Sequence, residues 1–386
     1  MLRPPASAFP DPRAPGANLR SAWLRATRRG ARRAPGPIGR PVRWHETARE
    51  GILPAVPHAA AEVPARMSPT PVALARWGSF HVGGREVRVA GEAAREILFT
   101  PGSAPAILDP NGTYLVGAMY AQVMEPAPRR GAVPLMLWHG GGLTGACWES
   151  TPDGREGWQH FFFRQGWETV LTDAVERGRS GWTRIPEETG GVPVILTVEN
   201  PWERFRIGPG TPQEGRVFPG QQFPADMASW RAFIRGCVPR FTTTDDLTLA
   251  AYCALLDRIG PSVVVAHSQG GFFAWRAAQE RPGKVRALVL VEPASTGLAE
   301  KAAALAAVPV LMLYGDHIAE DPRWPAIRAR GLAFAEAVRA AGGAVEVLDL
   351  PALGIRGNSH MIMMDRNSDS VAALVQEWLS RRGLHA

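Results

Sequence analysis

Cysteine is scarce in this sequence, and no apolar run is long enough to cross a bilayer. The three cysteines, Cys147, Cys237 and Cys253, are odd in number and widely spaced, so they indicate neither a metal motif nor a disulfide framework. We expect them to be free thiols, mostly buried. We also expect no metal and no cofactor, since no motif for either is found in the chain.

Acidic residues are rare in the first 50 residues, which hold eleven arginines and three acidic side chains. The whole chain has a formal net charge of +7, so the remainder of the chain is close to neutral. The positive charge therefore belongs to the N-terminal segment. Because no aromatic or RNA-module pattern accompanies this segment, we expect no nucleic-acid partner.

Residues 1–70 are rich in Arg, Pro, Ala and Gly and show neither helical nor strand periodicity, which predicts a disordered tail. The candidate apolar segment at residues 51–61 is interrupted by Pro and His, so no clear signal peptide is present. This slightly favours a cytoplasmic location. Met67 stands just before the first periodic strand and is an alternative start of the chain.

Apolar strands alternate with helices from about Trp77 onward, and polar residues follow the strands. This pattern predicts an α/β domain over residues 75–383, with a mostly parallel central sheet flanked by helices and a site along one sheet edge. Gly83 and Gly84 lie in the middle of residues 80–89 and predict a hairpin there.

Ser268 follows a run of β-branched residues, 263–265, and precedes a predicted helix. The small residues Ala266 and Gly270 flank it two positions away on each side. This is the pattern of a nucleophile elbow, a tight turn that lifts the serine oxygen out of the sheet. The same turn directs the N–H of Gln269 toward a substrate carbonyl, which predicts Gln269 as one donor of an oxyanion hole.

The second oxyanion donor is expected in the glycine loop that follows the short strand at residues 135–138. Glycines at a strand end let backbone N–H groups approach a ligand. Serine hydrolases take their second oxyanion donor from this point of the fold, so we predict Gly141 for this role, with Gly142 as the alternative.

A serine nucleophile needs an imidazole to accept its proton and a carboxylate to orient that imidazole. His360 lies in the loop after the last predicted strand, where the histidine of such a fold belongs. Asp316, after the penultimate strand, and Glu292, after the strand that follows the nucleophile, are both candidates for the acid. Their spacing in the sequence does not decide between them.

Three further histidines lie next to these loops, and we predict roles other than catalysis for them. His139 and His267 are next to the glycine loop and the elbow, and we expect them to shape those turns. His317 follows the penultimate strand and is a candidate pocket residue.

Residues 180–245 interrupt the alternation of strands and helices and predict a cap inserted into the domain. This segment is rich in Pro, Gly and large aromatic side chains, namely Trp182, Trp202, Phe205, Phe218, Phe223, Trp230 and Phe233. We expect the aromatic rings to form the walls of an apolar pocket, with packing on the core as the alternative role.

Several motifs together resemble a small family of bacterial α/β-hydrolase esterases, over most of residues 75–383. The motifs are His139-Gly140-Gly141-Gly142-Leu143-Thr144-Gly145, Thr151-Pro152-Asp153-Gly154-Arg155, His267-Ser268-Gln269, Val291-Glu292-Pro293, Tyr314-Gly315-Asp316-His317-Ile318 and Gly357-Asn358-Ser359-His360-Met361. The resemblance implies the α/β-hydrolase fold and a triad of Ser268, Glu292 and His360. Members of that family are typically exported and carry two adjacent cysteines where this chain has Gly141 and Gly142.

The expected activity is hydrolysis of carboxylic esters, of small apolar or aryl type, through an acyl-enzyme intermediate. Lactone, thioester or carbon–carbon bond hydrolysis on the same residues is the first alternative. A non-catalytic ligand receptor, or a scaffold tethered by its basic arm, is the second. The expected partner is a small-molecule ester, with a homodimer as the candidate assembly. The family resemblance favours a periplasmic or secreted location.

Overall fold

Strands and helices alternate through the computed structural model, which describes residues 71–182 and 191–386. The predicted disordered tail, residues 1–70, and residues 183–190 of the predicted cap lie outside the described residues. The described strands are β1 (Ala73–Val89), β2 (Arg95–Ile97), β3 (Ala106–Leu108), β4 (Gly112–Ala127), β5 (Leu135–Trp138), β6 (Thr169–Asp173), β7 (Ser262–His267), β8 (Val285–Val291), β9 (Val310–Tyr314) and β10 (Val345–Asp349).

The helices begin mostly in the loops that follow the strands. The described α-helices are α1 (Ala146–Glu149), α2 (Trp158–Arg164), α3 (Asn200–Arg204), α4 (Met227–Arg235), α5 (Asp245–Ile259), α6 (Gln269–Glu280), α7 (Trp324–Ala340) and α8 (Ser368–Arg381). Short 3₁₀ helices cover Gly178–Ser180, Pro212–Glu214, Pro282–Lys284, Ala299–Leu305, Ile318–Glu320, Pro351–Leu353 and Ile362–Met364. None of the described helices is both long and apolar enough to cross a membrane.

The central sheet has the strand order β1-β4-β6-β5-β7-β8-β9-β10, while β2 and β3 pair separately. The strands from β6 through β5, β7, β8 and β9 to β10 run parallel, and β1 and β4 are antiparallel to their neighbours. This is the mostly parallel sheet that the sequence predicts, and the α/β-hydrolase fold is confirmed.

The predicted hairpin at Gly83 and Gly84 is wrong, because β1 continues through both glycines and pairs with β4 over nearly its whole length. Both glycines have a positive φ, which bends the strand without reversing it. A Cβ on Gly83 would lie 3.0 Å from the Cα of Ala251 in α5. The glycine pair therefore permits a close approach between helix and strand.

Side chains of the parallel strands alternate between two hydrophobic clusters, one on each face of the sheet. Val264 and Leu288 pack with α5, α6 and α7 on one face. Val263 and Val289 pack on the other face with α2, α8 and the aromatic residues of the predicted cap. Because both faces are covered, β5, β6, β7 and β9 are buried along their full length, and β8 is buried except at Arg286. This burial explains their largely apolar sequences.

Strand register brings three loops to one edge of the sheet. His267 pairs with Val291, and Val291 pairs with Leu313, so β7, β8 and β9 end at the same level. Ser268 and Glu292 follow directly after these ends. Residues that are far apart in sequence therefore meet at this edge.

The three cysteines form no disulfide with one another. Cys147 and Cys253 are buried, and Cys237 is half-buried. Burial raises the pKa of the Cys237 thiol to about 12, so it is protonated at neutral pH.

Candidate active site

Ser268 lies in the sharp turn between β7 and α6, with φ of 51° and ψ of −115°. This conformation is unfavourable for a residue that carries a Cβ. A Cβ on Gly270 would lie 2.7 Å from the carbonyl oxygen of His139, so the turn needs a glycine there. The elbow was predicted from the small residues around Ser268. At Gly270, the small residue is required for steric reasons.

Ser268, His360 and Glu292 form one chain of hydrogen bonds. The Oγ of Ser268 is 3.0 Å from Nε2 of His360, and Nδ1 of His360 is 2.7 Å from Oε2 of Glu292. The carboxylate can accept only from an Nδ1–H, so it selects the tautomer whose Nε2 is free to accept the serine proton. The geometry is that of a general base placed on a nucleophile.

Asp316, the other candidate acid, does not contact His360 within the described structure. Its carboxylate accepts hydrogen bonds from the backbone N–H groups of His317 and Gly357, both at 2.9 Å. Asp316 therefore fastens the loop that carries His360 to the end of β9. The structure places Glu292, and not Asp316, against the imidazole.

Arg206 contacts Glu292 and was not predicted from the sequence. Its guanidinium donates through Nη2 to Oε1 of Glu292 and through Nε to the carbonyl oxygen of Asp316 at 2.8 Å. Both side chains of the Arg206–Glu292 ion pair are 0% exposed. The two residues are 86 positions apart, and no local motif marks the arginine, so the sequence carries no signal for this contact.

The pKa of Glu292 depends on this arginine. Burial alone would raise the pKa of the carboxyl, but the charge of Arg206 and the hydrogen bonds from His360 and Arg206 lower it to about 2. Gly315 also donates its N–H to Oε1 at 2.7 Å. Glu292 is therefore ionised over the whole physiological pH range.

The pKa of His360 is lowered from its ordinary value of 6.5. Burial is the main cause, Glu292 opposes it, and the positive charges of Arg206 and Arg204 lower the pKa further. The imidazole is therefore neutral at pH 7 and able to accept a proton. Aromatic rings enclose it, since Phe205 and Trp324 have ring centroids 5.1 and 4.7 Å from the imidazole.

The loop that carries His360 is held by a buried carboxyl, Asp365. It accepts hydrogen bonds from the hydroxyl and N–H of Ser359, at 2.7 and 2.9 Å, and from Nδ2 of Asn358 at 2.9 Å. Burial raises the pKa of Asp365 to about 7. From the predicted cap segment, the carbonyl oxygen of Phe205 accepts the N–H of His360 at 2.9 Å.

Gly141 and Gln269, the predicted oxyanion donors, line the same cavity as Ser268. A Cβ on Gly141 would lie 3.1 Å from Oε1 of Gln269, so the glycine loop and the elbow are adjacent. Gly142, the alternative donor, also lines the cavity, and its carbonyl oxygen accepts the N–H of Val238 at 2.9 Å. The glycine loop is thereby tied to the cap segment.

The three other histidines near the predicted site, His139, His267 and His317, each make a hydrogen bond to a backbone group. Nε2 of His139 accepts the N–H of Ala174 at 2.9 Å, and burial lowers the pKa of His139 to about 4. Nε2 of His267 donates to the carbonyl oxygen of His360 at 2.9 Å. His317 donates to the carbonyl oxygen of Pro219 at 3.0 Å. His139 and His267 therefore join neighbouring loops, and His317 is absent from the lining of the cavity around Ser268.

The cavity around Ser268 has a volume of about 350 Å³. Besides site residues, its lining includes the apolar side chains Leu143, Val194, Leu196, Phe272, Trp324 and Ile327 and the charged side chains Arg204, Arg240, Asp245 and Arg323. Of the cap aromatics, all of which the structure describes, Phe205 alone lines this cavity. Trp202, Phe223, Trp230 and Phe233 pack in the core, which was the alternative role for this set.

No metal site is evident in the part of the chain that the structure describes, where no three His, Cys, Asp or Glu side chains are grouped to hold an ion. The side chains of Ser268, His360 and Glu292 form one hydrogen-bonded chain at a strand-to-helix elbow. Such an arrangement on this sheet defines a serine hydrolase of the α/β-hydrolase fold.

Comparisons with known proteins agree with this class. The family described as "alpha/beta hydrolase fold" matches residues 229–321. A solved structure titled "The Atomic Resolution Structure of a Novel Bacterial Esterase" is 34% identical, covers 81% of this chain and 97% of its own, and has a TM-score of 0.70. The "Probable secreted lipase phiG" of a fungal species, strain ATCC 74256, is 28% identical over 70% of this chain and 88% of its own length. The chain therefore belongs to the family of α/β-hydrolase-fold esterases.

Proposed function

We propose that the protein hydrolyses carboxylic esters through an acyl-enzyme intermediate, with Ser268 as nucleophile, His360 as general base and acid, and Glu292 as the acid of the triad. The observation that carries the proposal is the continuous chain from Ser268 Oγ through both ring nitrogens of His360 to Glu292. Membership in the esterase family supports the choice of substrate class, as does the similarity to a probable lipase.

The acylation step uses the hydrogen bonds already described. Nε2 of His360 takes the proton of Ser268 as Oγ attacks the ester carbonyl, and Glu292 stabilises the imidazolium. The N–H groups of Gln269 and Gly141 hold the negative oxygen of the tetrahedral intermediate. The imidazolium then gives its proton to the leaving alcohol, which departs as the acyl-enzyme forms.

Deacylation repeats the sequence with water. His360 takes a proton from water, the resulting hydroxide attacks the acyl carbonyl, and the proton returns to Oγ of Ser268 as the acid product leaves. Because the pKa of His360 is lowered, its neutral form is available at the start of both steps.

Replacement of Ser268 tests this proposal. We expect Ser268→Ala to lower kcat on a para-nitrophenyl ester on the order of 10⁴-fold or more, because the nucleophile is lost while binding remains. A fluorophosphonate probe should label the natural protein and not the variant. Circular dichroism and the midpoint of thermal unfolding control for folding. A variant that folds and keeps most of its rate would contradict the assignment.

Residues 180–245 are proposed to act as a cap over this site. The described part of this segment supplies Leu196, Arg204, Phe205 and Arg240 to the cavity lining, which supports the proposal.

The tail at residues 1–70 remains a predicted disordered segment, outside the described residues.

Location and assembly remain predictions. The similarity to a probable secreted lipase supports export, and a cytoplasmic location is the alternative. Cell fractionation distinguishes the two. The homodimer is the assembly proposed for the protein, and light scattering on the purified chain measures it.

A further inference from the structure

Positive charge is concentrated in the cavity that contains Ser268. Three of its lining residues are arginines, Arg204, Arg240 and Arg323, and Asp245 supplies a carboxylate. Apolar and aryl groups do not replace the hydrogen bonds that guanidinium groups make with water. A substrate with only such groups would therefore lose free energy by covering the three arginines.

Two of these arginines have no ionic partner in the part of the chain that the structure describes. Arg323 forms an ion pair with Asp321 at 2.9 Å. Neither Arg204 nor Arg240 makes a side-chain hydrogen bond or ion pair with a described residue, and Nε of Arg240 is buried without a partner. The backbone of Arg240 is held by two hydrogen bonds with Val194, at 2.8 and 3.0 Å, so its side chain starts from a fixed position.

Both unpaired guanidinium groups line the cavity of the reacting serine, and each is near a different part of the site. Nη1 of Arg240 is 2.9 Å from the place that a Cβ on Gly141 would occupy, beside the oxyanion loop. Arg204 precedes Phe205, whose ring packs on His360, and the charge of Arg204 lowers the pKa of His360. An ester bound at Ser268 would therefore share one cavity with both guanidinium groups.

The arginine charges also repel one another. Partial burial and the charges of Arg323 and Arg240 lower the pKa of Arg204, and the charge of Asp321 opposes them in part. Asp245 offsets part of the charge, and its Oδ1 accepts a hydrogen bond from Nε2 of Gln269 at 3.2 Å. A bound anion would remove the repulsion and supply the missing hydrogen-bond acceptors.

We propose that the natural substrate is an ester that carries a second, ionised carboxylate, such as a monoester of a dicarboxylic acid, and that Arg240 and Arg204 bind this carboxylate. The inference rests on the proposed esterase function and names its substrate class. Guanidinium groups fit a carboxylate because their paired N–H donors match its two oxygens. The apolar part of the lining then contacts the hydrocarbon chain between the two carboxyl groups.

Two matched pairs of esters test the proposal. Mono-para-nitrophenyl adipate is compared with its neutral methyl ester, which places the charge in the acid half. Para-carboxyphenyl hexanoate is compared with its methyl ester, which places the charge in the alcohol half. We expect kcat/KM for the charged member of at least one pair to exceed that of its neutral partner about tenfold or more, because charge-assisted hydrogen bonds are strong. High salt should reduce the preference.

Arginine variants test whether Arg204 and Arg240 cause the preference for charged esters. Arg240→Gln and Arg204→Gln should each reduce the charged-to-neutral ratio of kcat/KM about tenfold, mainly through KM. Arg231→Gln is the matched control, since Arg231 is an exposed arginine on α4 outside the cavity, and it should keep the ratio of the natural protein.

Three results would overturn the proposal. The first is a natural protein that favours the neutral ester in both pairs or shows no preference. The second is a preference that neither arginine variant reduces. The third is an equal loss of kcat/KM on charged and neutral esters in the arginine variants, which would mean that the arginines support the hydrolysis of any ester. If both neutral esters are cleaved and Ser268→Ala stops their cleavage, the esterase function stands and only the substrate class fails. If no ester is cleaved, both proposals fail.

Discussion

Ser268, Glu292 and Arg206 have φ angles of 51°, 47° and 58°, although none of them is a glycine. Such angles are unfavourable for residues with a Cβ and persist only where surrounding contacts impose them. Here the contacts are the elbow turn and the buried ion pair between Arg206 and Glu292. Among the described residues, Glu176 and His317 are the other non-glycine positions with positive φ, so three of these five positions belong to the site.

The identity of the acid gives a prediction at the residue scale. Glu292→Gln should lower kcat/KM on the order of 10³-fold or more, because a neutral amide no longer stabilises the imidazolium and can hold the wrong tautomer. Asp316→Asn should cost much less, since the described hydrogen bonds to the Asp316 carboxylate come from the backbone N–H groups of His317 and Gly357. Steady-state kinetics on one ester compares the two variants. A larger loss for Asp316→Asn would move the acid to that residue.

The pH dependence of the rate is set by His360. Below its pKa the imidazole is protonated and cannot accept the serine proton, so kcat/KM should fall on the acid side with a midpoint under the ordinary 6.5. Arg204→Gln should shift this midpoint upward, because it removes a positive charge that lowers the pKa. A pH–rate profile measures both. A natural midpoint above 6.5, or a downward shift in the variant, would be inconsistent with the environment described.

At the scale of elements, the turn after α3 connects the predicted cap to the sheet. Arg206 of this turn contacts Glu292 after β8 and the carbonyl of Asp316 after β9. The carbonyl of the preceding residue, Phe205, accepts the N–H of His360. The segment thus fixes the positions of the acid and the base together, and a shift of the turn would disturb both.

Removal of Arg206 tests this connection. Arg206→Met leaves the buried Glu292 carboxylate without its counter-charge, so we expect the free energy of unfolding to fall by about 3–5 kcal/mol at pH 7. Urea unfolding measures the loss. Arg281→Met breaks the exposed pair with Asp257 and is the matched control, with an expected change of about 1 kcal/mol or less.

The pH dependence of stability has a defined sign in this case. The folded pKa of Glu292, about 2, is below its ordinary 4.5, so its ionisation stabilises the natural protein above pH 4.5, and this contribution is lost as the pH falls toward 2. The Arg206→Met variant should show a weaker loss over that range. An unchanged pH profile would mean that Arg206 does not lower the pKa of Glu292.

At the scale of the whole molecule, the net positive charge of the sequence and the site belong to different parts of the chain. The excess of basic over acidic residues comes from residues 1–50, whereas every proposed site residue lies between Gly141 and His360. The loops that hold the site follow the described strands β5, β7, β8 and β10. The reaction should therefore not require the N-terminal segment.

A shortened chain that begins at Met67 tests this separation. We expect its kcat/KM on a neutral ester to be within about twofold of the full chain, because the site and both hydrophobic clusters are retained. Thermal unfolding of both chains controls for stability. A large loss of activity with an unchanged unfolding midpoint would show that the N-terminal segment contributes to the site.

Sequence alone determined the features that depend on local order. The buried strands, the elbow at Ser268, the glycine loop with Gly141 and the position of His360 follow from short patterns, because each pattern is imposed by neighbours a few residues away. These patterns predicted a mostly parallel α/β sheet with a serine nucleophile. The resemblance to the esterase family implied the α/β-hydrolase fold and the esterase class, and both are confirmed. The resemblance to the esterase family favoured Glu292, which the spacing of residues could not do.

Only the tertiary structure decided which distant groups meet. It placed Glu292 and not Asp316 against His360, paired Arg206 with Glu292 and gathered the three arginines in one cavity. It also made β1 one bent strand where Gly83 and Gly84 had predicted a hairpin. These contacts join residues far apart in the chain, and their energies come from burial and charge in three dimensions, which local propensity does not record.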